Sequence, residues 1–108
     1  MKKKYIDILM ATYNGEKYLK EQIESILNQT HKEFRLIISD DCSKDSTREI
    51  LSKYAKKDKR IKIYKQEKNL GYVKNFEFLL SKVENEYYMF SDQDDVWLPD
   101  KVKKSLET

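Results

Sequence analysis

The chain carries little punctuation. Its 108 residues include two glycines, one proline, one cysteine and one histidine. So few breakers exclude a low-complexity segment or a flexible linker, and the length suits one domain. The single cysteine, Cys42, excludes an internal disulfide. That sets aside the secreted, disulfide-stapled class and fits a reducing cytoplasm. No apolar run approaches the roughly 18 residues of a membrane span, and no apolar core follows the basic start, as a signal peptide would require. Neither sign of charge dominates: 22 Lys and Arg against 19 Asp and Glu leave +3, with the signs interleaved. The lysine-rich patches at 2–4 and 56–60 read as solvated flanks of strands, so no nucleic-acid partner is expected.

What is present is a core's worth of apolar residues, 39% of the chain, in alternating periodicities. "YIDILMATYN" begins β-rich over residues 5–10 and ends polar, which predicts a buried strand. In "GEKYLKEQIESILNQ", Leu19, Ile23, Ile26 and Leu27 share one helical face, and Glu16 suits the helix dipole. "FRLIISDD" is a second strand ending abruptly in acids. "KDSTREILSKYAKK" places Ile50, Leu51, Tyr54 and Ala55 on one face behind Asp45 or Ser46 as cap. "IKIY" at 61–64 predicts a third strand. After a turn at Gly71, "NLGYVKNFEFLLSKV" spaces Val73, Phe76, Leu79, Leu80 and Val83 as a helix. "YYMF" at 87–90 reads as a buried fourth strand, and Pro99 suits the first turn of a last helix.

Strand and helix thus alternate four times. This predicts the α/β class: an open, Rossmann-like parallel sheet with right-handed crossovers and helices on both faces. In such sheets ligands sit beyond the carboxyl ends of the strands. Three polar clusters fall there: Thr12, Tyr13 and Asn14; Asp40 and Asp41; and the acids Asp92, Asp94 and Asp95.

The last cluster packs three carboxylates into four positions after an apolar strand. Like charges so close oppose one another's ionisation. A hard divalent cation relieves this, and Mg²⁺ typically takes one or two protein carboxylates and completes its shell with phosphate and water. The plainer alternative is that these acids cap turns and the Pro99 helix. A calcium loop is excluded, because Trp97 stands where its glycine is required. Asp40 and Asp41 are either caps or acceptors for a sugar hydroxyl or base N–H. Cys42 has only His31 as a conceivable base and reads as a small turn residue, while His31 reads as exposed.

Four stretches, "ILMATYNGEKYLKEQIESILNQT", "LIISDDCSKDST", "NLGYVKNFEFLLSKV" and "YYMFSDQDDVWLPDKV", resemble in order and spacing the family 2 glycosyltransferases of the GT-A fold. The likeness is to bacterial, rhamnosyltransferase-like enzymes of surface-polysaccharide assembly. Together with the crossover rule it implies the strand order 3-2-1-4. It further implies that residues 1–108 are the nucleotide-sugar-binding portion, without the acceptor half that carries the catalytic base. This chain alone would then bind donor without transferring sugar. By the same resemblance, Thr12, Tyr13 and Asn14 hold the nucleoside, and one of Asp40 and Asp41 contacts base or ribose. Lys74 faces the nucleotide. Asp92, Gln93 and Asp94 form the DXD motif, with Asp92 toward ribose and metal, Asp94 on the metal and Asp95 able to replace it. Cys42 stands where relatives usually carry glycine.

The implied partners are a UDP- or dTDP-sugar, Mg²⁺ or Mn²⁺, and a saccharide or lipid-linked acceptor. The reaction would invert the anomeric centre. The implied setting is the cytoplasm, peripheral to the inner face of the membrane, and the exposed sheet flank implies a homo-oligomer. Two rivals remain open on the residues: a non-catalytic nucleotide-binding module, and an aspartate-nucleophile phosphohydrolase, whose D-x-D-x-[TV] loop "DQDDV" satisfies.

Overall fold

The fold was obtained as a computed structural model, which describes residues 4–92 and 96–107. Four strands, β1 (Ile6–Thr12), β2 (Phe34–Asp40), β3 (Ile61–Lys65) and β4 (Tyr87–Ser91), alternate with helices α1 (Leu19–Leu27), α2 (Thr47–Lys57), α3 (Tyr72–Leu80) and α4 (Lys101–Glu107). All pairings are parallel and the order is β3-β2-β1-β4, as expected from the crossover rule and the family likeness.

The pleat divides the core. Ile6, Ile8 and Met10 of β1 face one side with Phe34, Leu36 and Ile38 of β2. They pack there with Leu19, Ile23 and Ile26 of α1, Leu51 of α2 and Val102 of α4. Leu9 and Ile37 face the other side, against Leu79 of α3, with Ala11, Tyr64 and Phe90 alongside. The chain steps outward from β1 to β3 and then returns past β1 to β4, so right-handed crossovers place α1 and α2 on one face and α3 on the other. Among the described helices, three therefore cover one face and α3 covers the second.

Several local expectations change in the structure. β4 is an edge of the described sheet, with Tyr87 and Tyr88 exposed, because it pairs only with β1. Val73 also points outward, and the buried side of α3 is made by Asn75 and Leu79. α1 begins at Leu19, after a turn in which Gly15 O accepts from the N–H groups of Tyr18 and Leu19. Glu16 therefore lies outside the helix, and its carboxylate accepts from Ser46 N at 3.0 Å instead. Ser46 occupies the cap position of α2 without a side-chain cap bond, while Asp45 Oδ1 accepts from Thr47 N at 2.9 Å. Pro99 precedes α4 by two positions, and its carbonyl accepts from Thr30 N. His31 is half-buried, with Nε2 2.7 Å from Lys4 O.

Candidate functional site

The register aligns the strand ends. Thr12 stands opposite Asp40, and Asp40 opposite Lys65. On the other side of β1, Met10 stands opposite Ser91, the residue before Asp92. The polar residues after β1 and β2 and Asp92 after β4 thus share one end of the sheet, where open α/β sheets bind ligands.

A cleft of about 360 Å³ opens there, lined by residues of the β1 exit, β4, the 69–71 loop and α3. That volume lies within the range of small-molecule sites. Ala11 and Phe90 form its apolar wall, and Tyr13, Tyr72 and Asn75 surround its mouth and side. It lies on the face covered by α3, whose residues Tyr72 and Asn75 line it.

The adjacent acids divide their labour. Asp40 is fully buried. Its carboxylate accepts from Thr12 Oγ1 at 2.8 Å, Ser43 Oγ at 2.5 Å, Ser43 N at 3.0 Å and Arg48 Nε at 2.8 Å. Those bonds stitch β1, β2 and α2 together beneath the cleft, and Arg48 also donates to Gln66 O. Asp41 lines the cleft. Its carboxylate accepts from Leu70 N at 2.5 Å and Gly71 N at 3.1 Å, and its carbonyl accepts from Asn69 Nδ2 at 2.9 Å. It therefore folds the 69–71 loop over the strand ends. A carboxylate oxygen has more than one lone pair, so Asp41 can still accept from a ligand N–H or hydroxyl.

The other expected residues take distinct places. Thr12 lines the cleft, but its hydroxyl is given to Asp40. Tyr13 lines the cleft and is exposed, open to a planar ligand. Asn14, at φ 48°, braces two loops: its N donates to Ser43 Oγ and its Oδ1 accepts from Lys44 N, both at 2.9 Å. Lys74 is exposed on α3 and is not part of the cleft lining. Asp92 is exposed beside the cleft, its Oδ1 3.4 Å from the hydroxyl of the cleft residue Tyr72. Asp94 and Asp95 lie outside the described residues, as does Gln93. Cys42 sits at φ 61°, a left-handed conformation that glycine adopts without a Cβ penalty.

Sequence reasoning missed Asn69, Tyr72 and Asn75. Asn75 is 2% exposed in the middle of α3; its Nδ2 donates to Ser39 O at 3.1 Å and its Oδ1 accepts from Ser39 Oγ at 2.5 Å. An asparagine beside the apolar stripe of α3 was the available signal, since a buried amide needs a designated partner.

The sequence matches Glycosyl transferase family 2 over residues 7–108. This chain is a member of that family. The match sets aside the phosphohydrolase reading of "DQDDV", and the family 2 assignment is supported by individual relatives. The chain is 37% identical to the putative teichuronic acid biosynthesis glycosyltransferase TuaG of Bacillus subtilis, over 97% of this chain and 42% of that protein. It is 39% identical to the dTDP-rhamnosyl transferase RfbG of Shigella flexneri, over 91% of this chain and 36% of that one. In structure, it superposes on residues 1–349 of S. aureus TarS in complex with UDP-GlcNAc with a TM-score of 0.86 and 32% identity. That alignment covers 94% of this chain and 30% of TarS 1–349. The family 2 chain thus spans less than half the length of these curated relatives. Among its described residues, no helix is long and apolar enough to cross a membrane.

Proposed function

We propose that this family 2 chain binds the nucleoside diphosphate of a UDP- or dTDP-sugar in the cleft beside Asp41. The observation that carries this reading is the cleft itself. An acceptor carboxylate inside and aromatic faces at Tyr13 and Tyr72 suit a planar polar ring, and an exposed carboxylate at the mouth suits an anionic tail that brings a divalent cation with it. The crystal structure of TarS 1–349 with UDP, 32% identical to this chain, supports a uridine donor.

Mg²⁺ or Mn²⁺ fits the residues at the mouth. Asp92 offers exposed hard oxygen donors, one of them in a long contact with the Tyr72 hydroxyl. By family resemblance Asp94, with Asp95 as an alternative, completes the protein's share of the ligands. The ion, when bound, supplies charge stabilisation for a departing nucleoside diphosphate. The chain's own residues orient the donor: Asp41 fixes the nucleoside, the tyrosines flank it, and Asn14 and Asp40 keep the supporting loops in register. In the whole protein the sugar passes with inversion to a hydroxyl of a saccharide or lipid-linked acceptor, in assembly of cell-surface polysaccharide. No residue described here is assigned as the general base.

Calorimetric titration of UDP, dTDP and GDP, each in Mn²⁺ and in EDTA, tests this reading. UDP or dTDP should bind most tightly, and more tightly in Mn²⁺. Asp94→Asn should weaken binding in Mn²⁺ by about 1–3 kcal/mol and leave binding in EDTA nearly unchanged. Equal losses in both conditions would make Asp94 structural. No nucleotide binding in either would overturn the function.

A further inference from the structure

Helix α1 and the residues just after it present a polar row, Gln22, Ser25 and Gln29, to the end of β4 and to the residues that lead into α4. Gln29 is buried; its Nε2 donates to Leu98 O at 2.7 Å and its Oε1 accepts from Val102 N at 3.0 Å. Those bonds stitch α1 to the start of α4. Ser25 Oγ accepts from Trp97 N at 3.0 Å. Gln22 lies two turns before Gln29 and does something different. It is 1% exposed, and its Nε2 donates to Ser91 Oγ at 3.0 Å and to Asp92 O at 2.6 Å.

A buried amide costs free energy unless its hydrogen bonds are made. Gln22 makes one to the Ser91 hydroxyl and one to the backbone of Asp92, whose carboxylate stands at the mouth of the cleft. Gln22 thereby holds Asp92 by its carbonyl, while the Asp92 carboxylate makes a long, 3.4 Å contact with the Tyr72 hydroxyl. We propose that Gln22 is a positioning residue for metal–diphosphate binding: by anchoring Ser91 and Asp92 to the rigid α1, it sets where the Asp92 carboxylate meets the ion. This rests on the donor-binding function proposed above. Without the anchor the strand end is free to shift, and a displacement of about 1 Å in a positioned group is enough to weaken a site markedly.

Gln22→Met keeps the side-chain length and removes the donor. The readout is the ratio of the UDP dissociation constants in EDTA and in Mn²⁺. In Gln22→Met this ratio should fall roughly five- to ten-fold, as expected for the loss of the hydrogen bond to Asp92 O, with the value in EDTA unchanged. Gln29→Met also loses buried hydrogen bonds and should lower the melting temperature comparably, yet keep the wild-type ratio. A Gln22→Met ratio equal to wild type, or both constants weakening together, would overturn the positioning role while leaving donor binding intact. A wild-type ratio of one would overturn the positioning role and the metal dependence of the site, while absence of UDP binding in both conditions would overturn donor binding itself. If Gln22→Met does not fold, the side-chain amide signals of Gln22 in wild-type NMR spectra decide. They should shift on adding Mg²⁺ with UDP and broaden with Mn²⁺ more than those of Gln29. Signals that stay in place would overturn the proposal.

Discussion

Asp7 is a charged residue with no exposed surface, set in β1 toward the end of the sheet opposite the cleft. Arg35 grips it with two hydrogen bonds, Nε to Oδ1 at 2.8 Å and Nη2 to Oδ2 at 3.0 Å. The N–H groups of Glu84 and Asn85 add bonds of 2.7 and 3.0 Å, and the Asn85 side chain another of 2.7 Å. Burial pushes the carboxyl up, and the Arg35 guanidinium with these amides outweighs it, bringing the pKa from 3.8 down to about 2. Folding therefore favours the ionised form. The resulting stabilisation, about 2 kcal/mol, is complete above roughly pH 4 and lost as pH falls toward 2. Asp7→Asn should cost about 2–4 kcal/mol at pH 7, because it leaves the Arg35 charge with a weakened partner. Urea unfolding at pH 7, 4 and 3 should show the gap between wild type and variant narrowing below pH 4. A gap independent of pH would mean that packing, not charge, is what Asp7 contributes.

At the scale of elements, the cleft depends on how α3 begins. Gly71 adopts φ 87° and ψ 162°, a conformation close to glycine's own. Its N–H donates to Asp41 Oδ2, and its carbonyl accepts from Asn75 N at 3.0 Å. One residue thus turns the chain, starts the helix and closes the loop over the Asp41 carboxylate. A Cβ placed on Gly71 would meet nothing within 4 Å, so the cost of Gly71→Ala comes from the backbone and not from a clash. Denaturant titration should show a loss of about 1–3 kcal/mol, and UDP affinity should fall with it, since Gly71 and Asp41 both line the cleft. Unchanged stability would show that the loop reaches another conformation cheaply. Unchanged affinity would detach the loop from nucleotide binding.

At the scale of the molecule, the described sheet ends at β4 on one side. This edge carries Tyr87 and Tyr88, 39% and 51% exposed. Unpaired backbone groups flanked by aromatic surface are a template for another strand. Light scattering should show association that grows with protein concentration, and Tyr88→Lys should shift it toward monomer by charging the edge. A monomer at all concentrations would remove β4 as an association surface.

What the sequence by itself determined is local and periodic. Short apolar runs mark the described strands, 3.6-residue spacing marks α1, α2 and α3, and Pro99 announces α4; the crossover rule then leaves few ways to order a parallel sheet. Gly71 was readable as a turn because so few glycines interrupt the pattern, and the acids after the strands were visible as a departure from it. Tertiary structure alone decided how those polar residues are used. Asp40 and Asp41 are neighbours of the same chemical type, yet one is turned to Arg48 and Thr12 and the other to the loop beside Gly71. β4 reads as a core strand, yet its first two residues, Tyr87 and Tyr88, are exposed, because only one neighbour pairs with it. Gln22 is one more polar residue in an amphipathic helix until Asp92, 70 positions away, arrives at its amide. Periodicity sets which side of an element is buried, because burial follows the repeat of the backbone. Which polar atoms meet is set by long-range packing, because a hydrogen bond requires its partner within about 3 Å, and no local pattern specifies where a distant segment will lie.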